Sequence, residues 1–160
     1  MNPKTYSAVA IANFFVRKGL DEGRPVTPMK VQKLVYIAHG FTLALTDGNT
    51  PLIQEEVGAW PFGPVVASVY KKFLDFDKNN ITSLAKDVSG QDILVDEADL
   101  DTNAILNRIW EVYGKFGAVQ LSNLTHQEDS PWFQTYQEGT SRVISQELIT
   151  KYYKKALSNG

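Results

Sequence analysis

The sequence predicts a mainly α fold, a single-domain bundle of six or seven helices over residues 1–160 with at most a small β-hairpin or short sheet. Three observations carry this expectation. Apolar residues recur at helical spacing in several separate segments. Two hydroxyl-then-proline pairs, Thr27-Pro28 and Ser130-Pro131, mark helix starts, because the hydroxyl can cap a free amide and proline has no N–H to lose there. Strand-like runs are short, the best being Leu52 to Trp60, bounded by breakers.

Taken in order, Ala8, Ile11, Ala12 and Phe15 define a first amphipathic helix ending near Gly19. After a loop over Asp21–Pro25, the Thr27 cap opens a second helix with Val31, Leu34, Val35, Ala38, Thr42 and Leu45 on one face. Its flank presents Gln32, Lys33, Tyr36 and His39, and Asp47-Gly48-Asn49 should stop it. Gly63-Pro64 is expected to open a third helix carrying Val66, Val69, Tyr70 and Phe73. Asp87–Asp101 reads as an irregular acidic stretch without Lys or Arg, with Ile93-Leu94-Val95 a candidate short strand. Asp101 or Thr102 should cap a fourth helix built on Ile105, Ile109, Trp110, Tyr113 and Phe116 and ended by Gly117. Leu121 and Leu124 indicate a short helix, Ser130-Pro131 starts another, and Ser145 caps the last, with Leu148, Ile149, Tyr152, Tyr153 and Ala156 apolar.

Composition narrows the function classes. Lys plus Arg is 16 against 18 Asp plus Glu, a net charge of −2, so there is no global attraction to nucleic acid or anionic lipid. There are no cysteines, which excludes disulfides and Cys-based zinc sites. Met1 to Thr5 lack the charged-then-apolar order of a secretory signal, and no apolar run is long enough to span a bilayer. A cytoplasmic location without membrane association is the expectation.

Chemistry-bearing patterns are weak. Asp99, Asp101 and Asn103 match the first, third and fifth positions of a calcium loop, but Ala104 and Trp110 stand where it needs Gly and Glu. Ser122, His126, Glu128, Asp129 and Ser130 cluster in sequence, and an enzyme using His126 with Glu128 or Asp129 is one reading. The structural reading is stronger, with His126 meeting the free carbonyls at a helix end and Ser130 capping the next helix. Phosphate-binding Gly-rich loops are absent, so no cofactor is expected.

Recognition surface remains. Trp60, Phe62, Trp132 and Phe133 lie beside prolines in loops or helix starts, where preorganised aromatics make good binding anchors. The alternative is that Trp60 or Trp132 folds inward to seal the bundle. The acidic stretch is either a solvated loop or a docking face for a basic partner.

Three segments carry a resemblance to a known family. Lys30-Val31-Gln32-Lys33-Leu34-Val35-Tyr36-Ile37-Ala38-His39-Gly40 resembles the signature helix of the SocA-like family, the Panacea antitoxin domain, found among phage-associated proteins. Glu56-Val57-Gly58-Ala59-Trp60-Pro61-Phe62-Gly63-Pro64-Val65-Val66 resembles its central turn, and the segment from Leu121 to Trp132 its C-terminal motif. The departures are Val31 where Leu is common and Phe62 where Tyr is common. The resemblance implies a non-enzymatic antitoxin that neutralises a cognate toxin by direct contact, the toxin usually being encoded in an adjacent gene. It also admits an adaptor that delivers a toxin to an ATP-dependent protease. Tyr36, Trp60, Phe62, His126 and Trp132 are then the candidate partner-binding residues. Equally, these motifs could maintain the shared fold while specificity sits in segments such as Asp87–Asp101.

Overall fold

The computed structural model describes residues 1–159. Among the described residues there are seven helices, α1 (Ala8–Asp21), α2 (Pro28–Leu45), α3 (Ala67–Phe73), α4 (Leu100–Tyr113), α5 (Ala118–Thr125), α6 (Pro131–Thr135) and α7 (Gln146–Asn159), and a small sheet. The sheet has strands β1 (Val57–Trp60), β2 (Gly63–Val65) and β3 (Val143–Ile144) in the antiparallel order β2-β1-β3. The fold is mainly α with a short sheet, as the sequence predicts.

Helix α2 is the axis of the molecule, packed by α1, α3, α4, α5, α7 and β2. Thr27 caps it, its hydroxyl accepting from Lys30 N at 3.3 Å, with Pro28 as the first helical residue. Every residue from Val31 to Gly40 is buried, so the flank of Gln32, Lys33, Tyr36 and His39 is interior along with the apolar face. A helix covered on all sides must satisfy its polar residues internally. Gln32 and Lys33 do so with the β1–β2 hairpin. His39 does not: it is 1% exposed and its Nδ1 has no partner, and neither has the Tyr36 hydroxyl beside it on α2.

Burial pushes the His39 imidazole down from its ordinary 6.5 to about 4. The folded protein therefore resists a proton that the unfolded chain accepts. Stability linked to His39 is complete above about pH 6.5 and is lost as pH falls toward 4. Between pH 7 and 4.5 the loss should be on the order of 2 kcal/mol. Urea denaturation checks it: His39→Phe should lose less stability over that interval than the parent, and an equal loss would exclude His39 as the cause.

Several local expectations are corrected. Gly63-Pro64 does not open α3. Gly63 has φ of 113°, outside the helical region, and both residues pair with β1 in the register Trp60↔Gly63 and Ala59↔Pro64. Pro64 is tolerated because β2 is an edge strand, and α3 starts at Ala67.

Helix α4 is capped by Asp99 rather than Asp101 or Thr102. The Asp99 carboxylate accepts from Thr102 N at 3.1 Å and from the Tyr6 hydroxyl at 2.6 Å. It ends at Tyr113, not Gly117, with Gly114 pressed against Trp110. Gly117 instead begins α5, where Gln120 Oε1 accepts its N–H at 2.8 Å. Ile93-Leu94-Val95 forms no strand. Buried Asn13 takes the backbone there, donating to Ala85 O and Ile93 O and accepting from Ala85 N, all within 2.9 Å. The acids of Asp87–Asp101 are largely spent locally: Asp87 Oδ1 accepts from Ser89 and Gln91, and Asp92 pairs with Lys86 at 2.7 Å.

Candidate functional site

The three sequence motifs meet at one hairpin. Strands β1 and β2 are joined by Pro61-Phe62, and the carbonyls of alternate residues through this turn are each gripped by a side chain from elsewhere. Trp132 Nε1 of α6 donates to Trp60 O at 2.6 Å, and Ser122 Oγ of α5 donates to Phe62 O at 2.8 Å. Lys33 Nζ of α2 donates to Pro64 O at 2.9 Å. Gln32 Nε2 donates to Val66 O while its Oε1 accepts from Val66 N, both at 3.0 Å. An unmade hydrogen bond at a buried backbone group costs about 1–3 kcal/mol, so the buried grips of Lys33 and Gln32 favour one loop conformation strongly, and the part-buried ones of Trp132 and Ser122 add to them.

The backbone is held; the aromatic side chains are presented. Phe62 is 71% exposed. Trp60 is half-buried, its ring edge-on to Tyr70 with centroids 5.2 Å apart. Beneath them lies a cleft of about 440 Å³ whose lining includes Met29, Lys33, Trp60, Phe62, Val69 and Tyr70. Its apolar walls next to exposed Phe62, Met29 and Tyr70 make a contiguous apolar face of the kind that marks contact sites.

The other candidate residues fall into supporting positions. Trp132 is buried, stacked on Tyr136 at 4.6 Å and edge-on to His126 at 5.2 Å, so this tryptophan folds inward and holds Trp60 in place. His126 follows the last residue of α5, half-buried, with Nδ1 3.5 Å from Ser122 Oγ. Tyr36 is 1% exposed and packs edge-on against Tyr153 of α7, outside the cleft lining, so it offers no surface to a partner.

The Ser122–His126 pair does not have the arrangement of a nucleophile and its base. The Ser122 proton goes to Phe62 O, and among the described residues no carboxylate hydrogen-bonds His126. Among the described residues no group of three or more His, Asp or Glu side chains is placed to hold a metal, and no helix is long and apolar enough to cross a membrane.

Gln32, Lys33 and Ser122 are the residues whose role sequence reasoning missed. The available signal was polar residues set into an otherwise apolar helix that is covered all round. Lys33 is the extreme case, 2% exposed, and burial lowers its amine to about 8.

Comparison with known proteins agrees with the motif positions. The model of the family described as "Antitoxin SocA-like, Panacea domain" matches residues 31–133, spanning the buried part of α2, the hairpin and the gripping residues of α5 and α6. Antitoxin SocA of Caulobacter vibrioides (strain NA1000 / CB15N) is similar to this chain, 33% identical over 135 residues, covering 82% of the chain and 71% of that protein. No solved structure matches. The chain belongs to the SocA-like antitoxin family, the Panacea domain family.

Proposed function

We propose that this protein, acting over its whole length as one unit, neutralises a cognate toxin by direct contact through the face built on the Trp60–Phe62 hairpin and the cleft under it. The supporting observation is the pairing of a clamped backbone with a 71% exposed Phe62. Binding usually costs the entropy of ordering a loop; here that ordering is already made, so burying the ring yields more net affinity. Trp60 and Phe62 make the contact, while Trp132 and His126 hold the loop and Tyr36 supports α2 from within. The partner is a toxin protein from an adjacent gene, with neither a cofactor nor nucleic acid involved.

Co-expression with the product of the adjacent gene tests this reading. Growth should be restored when both are made, and the two proteins should co-purify. Failure to protect against any adjacent gene product would overturn it. In a strain lacking the ATP-dependent protease, protection should persist. Loss of protection there would assign the chain to protease delivery instead of sequestration.

A further inference from the structure

Helix α7 is held to the body of the protein more lightly than its length suggests. Of its 14 residues only Ile149 and Tyr153 are buried. Among the described residues its one side-chain link to a distant part of the chain is the ion pair of Lys154 with Asp47. Both of those side chains are exposed, and a pair of that kind contributes little.

The surface that α7 covers is incompletely satisfied. Tyr36 and His39 stand one turn apart on α2. The Tyr36 ring packs edge-on to Tyr153 of α7. His39 borders a cavity of about 160 Å³ whose lining includes Glu55 and Glu56 ahead of β1, Ile144 of β3, and Gln146 and Ile149 of α7. Neither the Tyr36 hydroxyl nor His39 Nδ1 has a hydrogen-bond partner, and among the described residues these are the only buried side-chain polar atoms in that condition. Both belong to residues that α7 covers. Water would supply their partners as soon as α7 lifted, which makes this seam easier to open than an apolar one.

The ionisable groups that face His39 do not compensate a proton on it. Glu55 engages both carboxylate oxygens elsewhere, accepting from Ala8 N and Ser68 Oγ at 2.9 Å each. Glu56 is exposed to solvent, and α7 and β3 place no charged residue on the cavity. On α2 the neighbour is Tyr36, a neutral phenol. Burial is what moves the imidazole down to about 4.

We propose that α7 is a lid that opens as a unit on acidification, turning at Ser145, with β3 left on the sheet and with protonation of His39 favouring the open form. Ser145 is the single residue between β3 and α7, and it is exposed. In the open form water reaches Tyr36 and His39, and the imidazole takes the proton that the closed form resists. Helix α2 stays folded, so the event is a local opening rather than global unfolding. This inference is independent of the direct-binding reading above.

Hydrogen exchange of the full chain, read residue by residue by NMR at pH 7 and pH 5, tests it. Relative to intrinsic rates, the amides of Ile149 to Tyr153 should be at least about tenfold less protected than those of Leu34 to Ala38 in α2, at both pH values. A group that titrates near 6.5 when open and at about 4 when closed raises the open fraction about 20-fold from pH 7 to pH 5. Protection of the α7 amides should fall by that factor. In His39→Phe the fall should nearly vanish while α7 remains less protected than α2. Should that variant not fold, the parent decides by itself: a fall at α7 that sets in below about pH 6.5 supports the proposal, and its absence overturns it. Equal protection of α7 and α2 in the parent, or an undiminished fall in a folded His39→Phe, would also overturn it.

Discussion

Phe62→Ser should weaken the complex with the cognate toxin at least about 30-fold, the factor corresponding to a hot-spot loss of about 2 kcal/mol. The free protein should hardly notice the change. Phe62 is 71% exposed, and the loop is held through its carbonyl, which the substitution keeps for Ser122. Surface changes of this kind stay within about 0.5 kcal/mol, so Tm should move by no more than a few degrees. Titration calorimetry with purified toxin and a thermal melt of the free variant measure both. Trp132→Phe is the informative contrast. It removes the donor to Trp60 O from a buried position and should lower stability and affinity together. Undiminished affinity in Phe62→Ser would move the working surface off this hairpin.

The largest effect on folding is expected at Gly40. It sits inside α2, where alanine would ordinarily gain about 1 kcal/mol of helix propensity. Here an added Cβ would stand 2.3 Å from two ring carbons of Tyr153. That ring is buried and packs edge-on to Tyr36 and Phe41 at 5.9 and 4.8 Å, so it has no free space into which to turn. Overpacking of this kind costs about 1–3 kcal/mol and occasionally more, and a contact this short belongs at the upper end. Gly40→Ala should therefore be net destabilising by about 2 kcal/mol or more, through displacement of α7. Chemical denaturation of Gly40→Ala in the Tyr153→Leu background isolates the cause. There the same substitution should cost clearly less, and an unchanged cost would mean that the ring is not the obstacle.

Much of the fold was legible because it is encoded by local chemistry. Thr27 and Ser130 cap α2 and α6 as their hydroxyl-then-proline pairs predict, and Ser145 Oγ accepts from Leu148 N at 3.1 Å at the start of α7. Errors arose where a local signal had two uses. Gly63-Pro64 has the composition of a helix start, but its positive φ and its pairing with β1 make it an edge strand. Gly117 has the composition of a helix stop, yet it opens α5 after α4 has ended against Gly114. Strand β3 is two residues long, and no period can be read from two positions. Of the candidate site, Phe62 and Trp60 were found as aromatics beside prolines. The residues that hold them were not, because Gln32, Lys33 and Ser122 lie 34, 31 and 60 positions from the carbonyls they grip.

The sequence by itself determined the helical class, the starts of α2, α6 and α7 and the family, since caps, periodicity and motif order are properties of neighbouring residues. It also singled out Trp60-Pro61-Phe62-Gly63-Pro64 as the segment to watch. Tertiary structure decided what that segment is. Only when α2, α5 and α6 come together do Gln32, Lys33, Ser122 and Trp132 reach one stretch of backbone. The same packing buried Tyr36 and Trp132, left Phe62 in solvent, and enclosed a lysine without its counter-charge. The physical reason is that exposure and hydrogen-bond partnership depend on which surfaces meet, and contacts between distant residues leave no periodic trace in the chain.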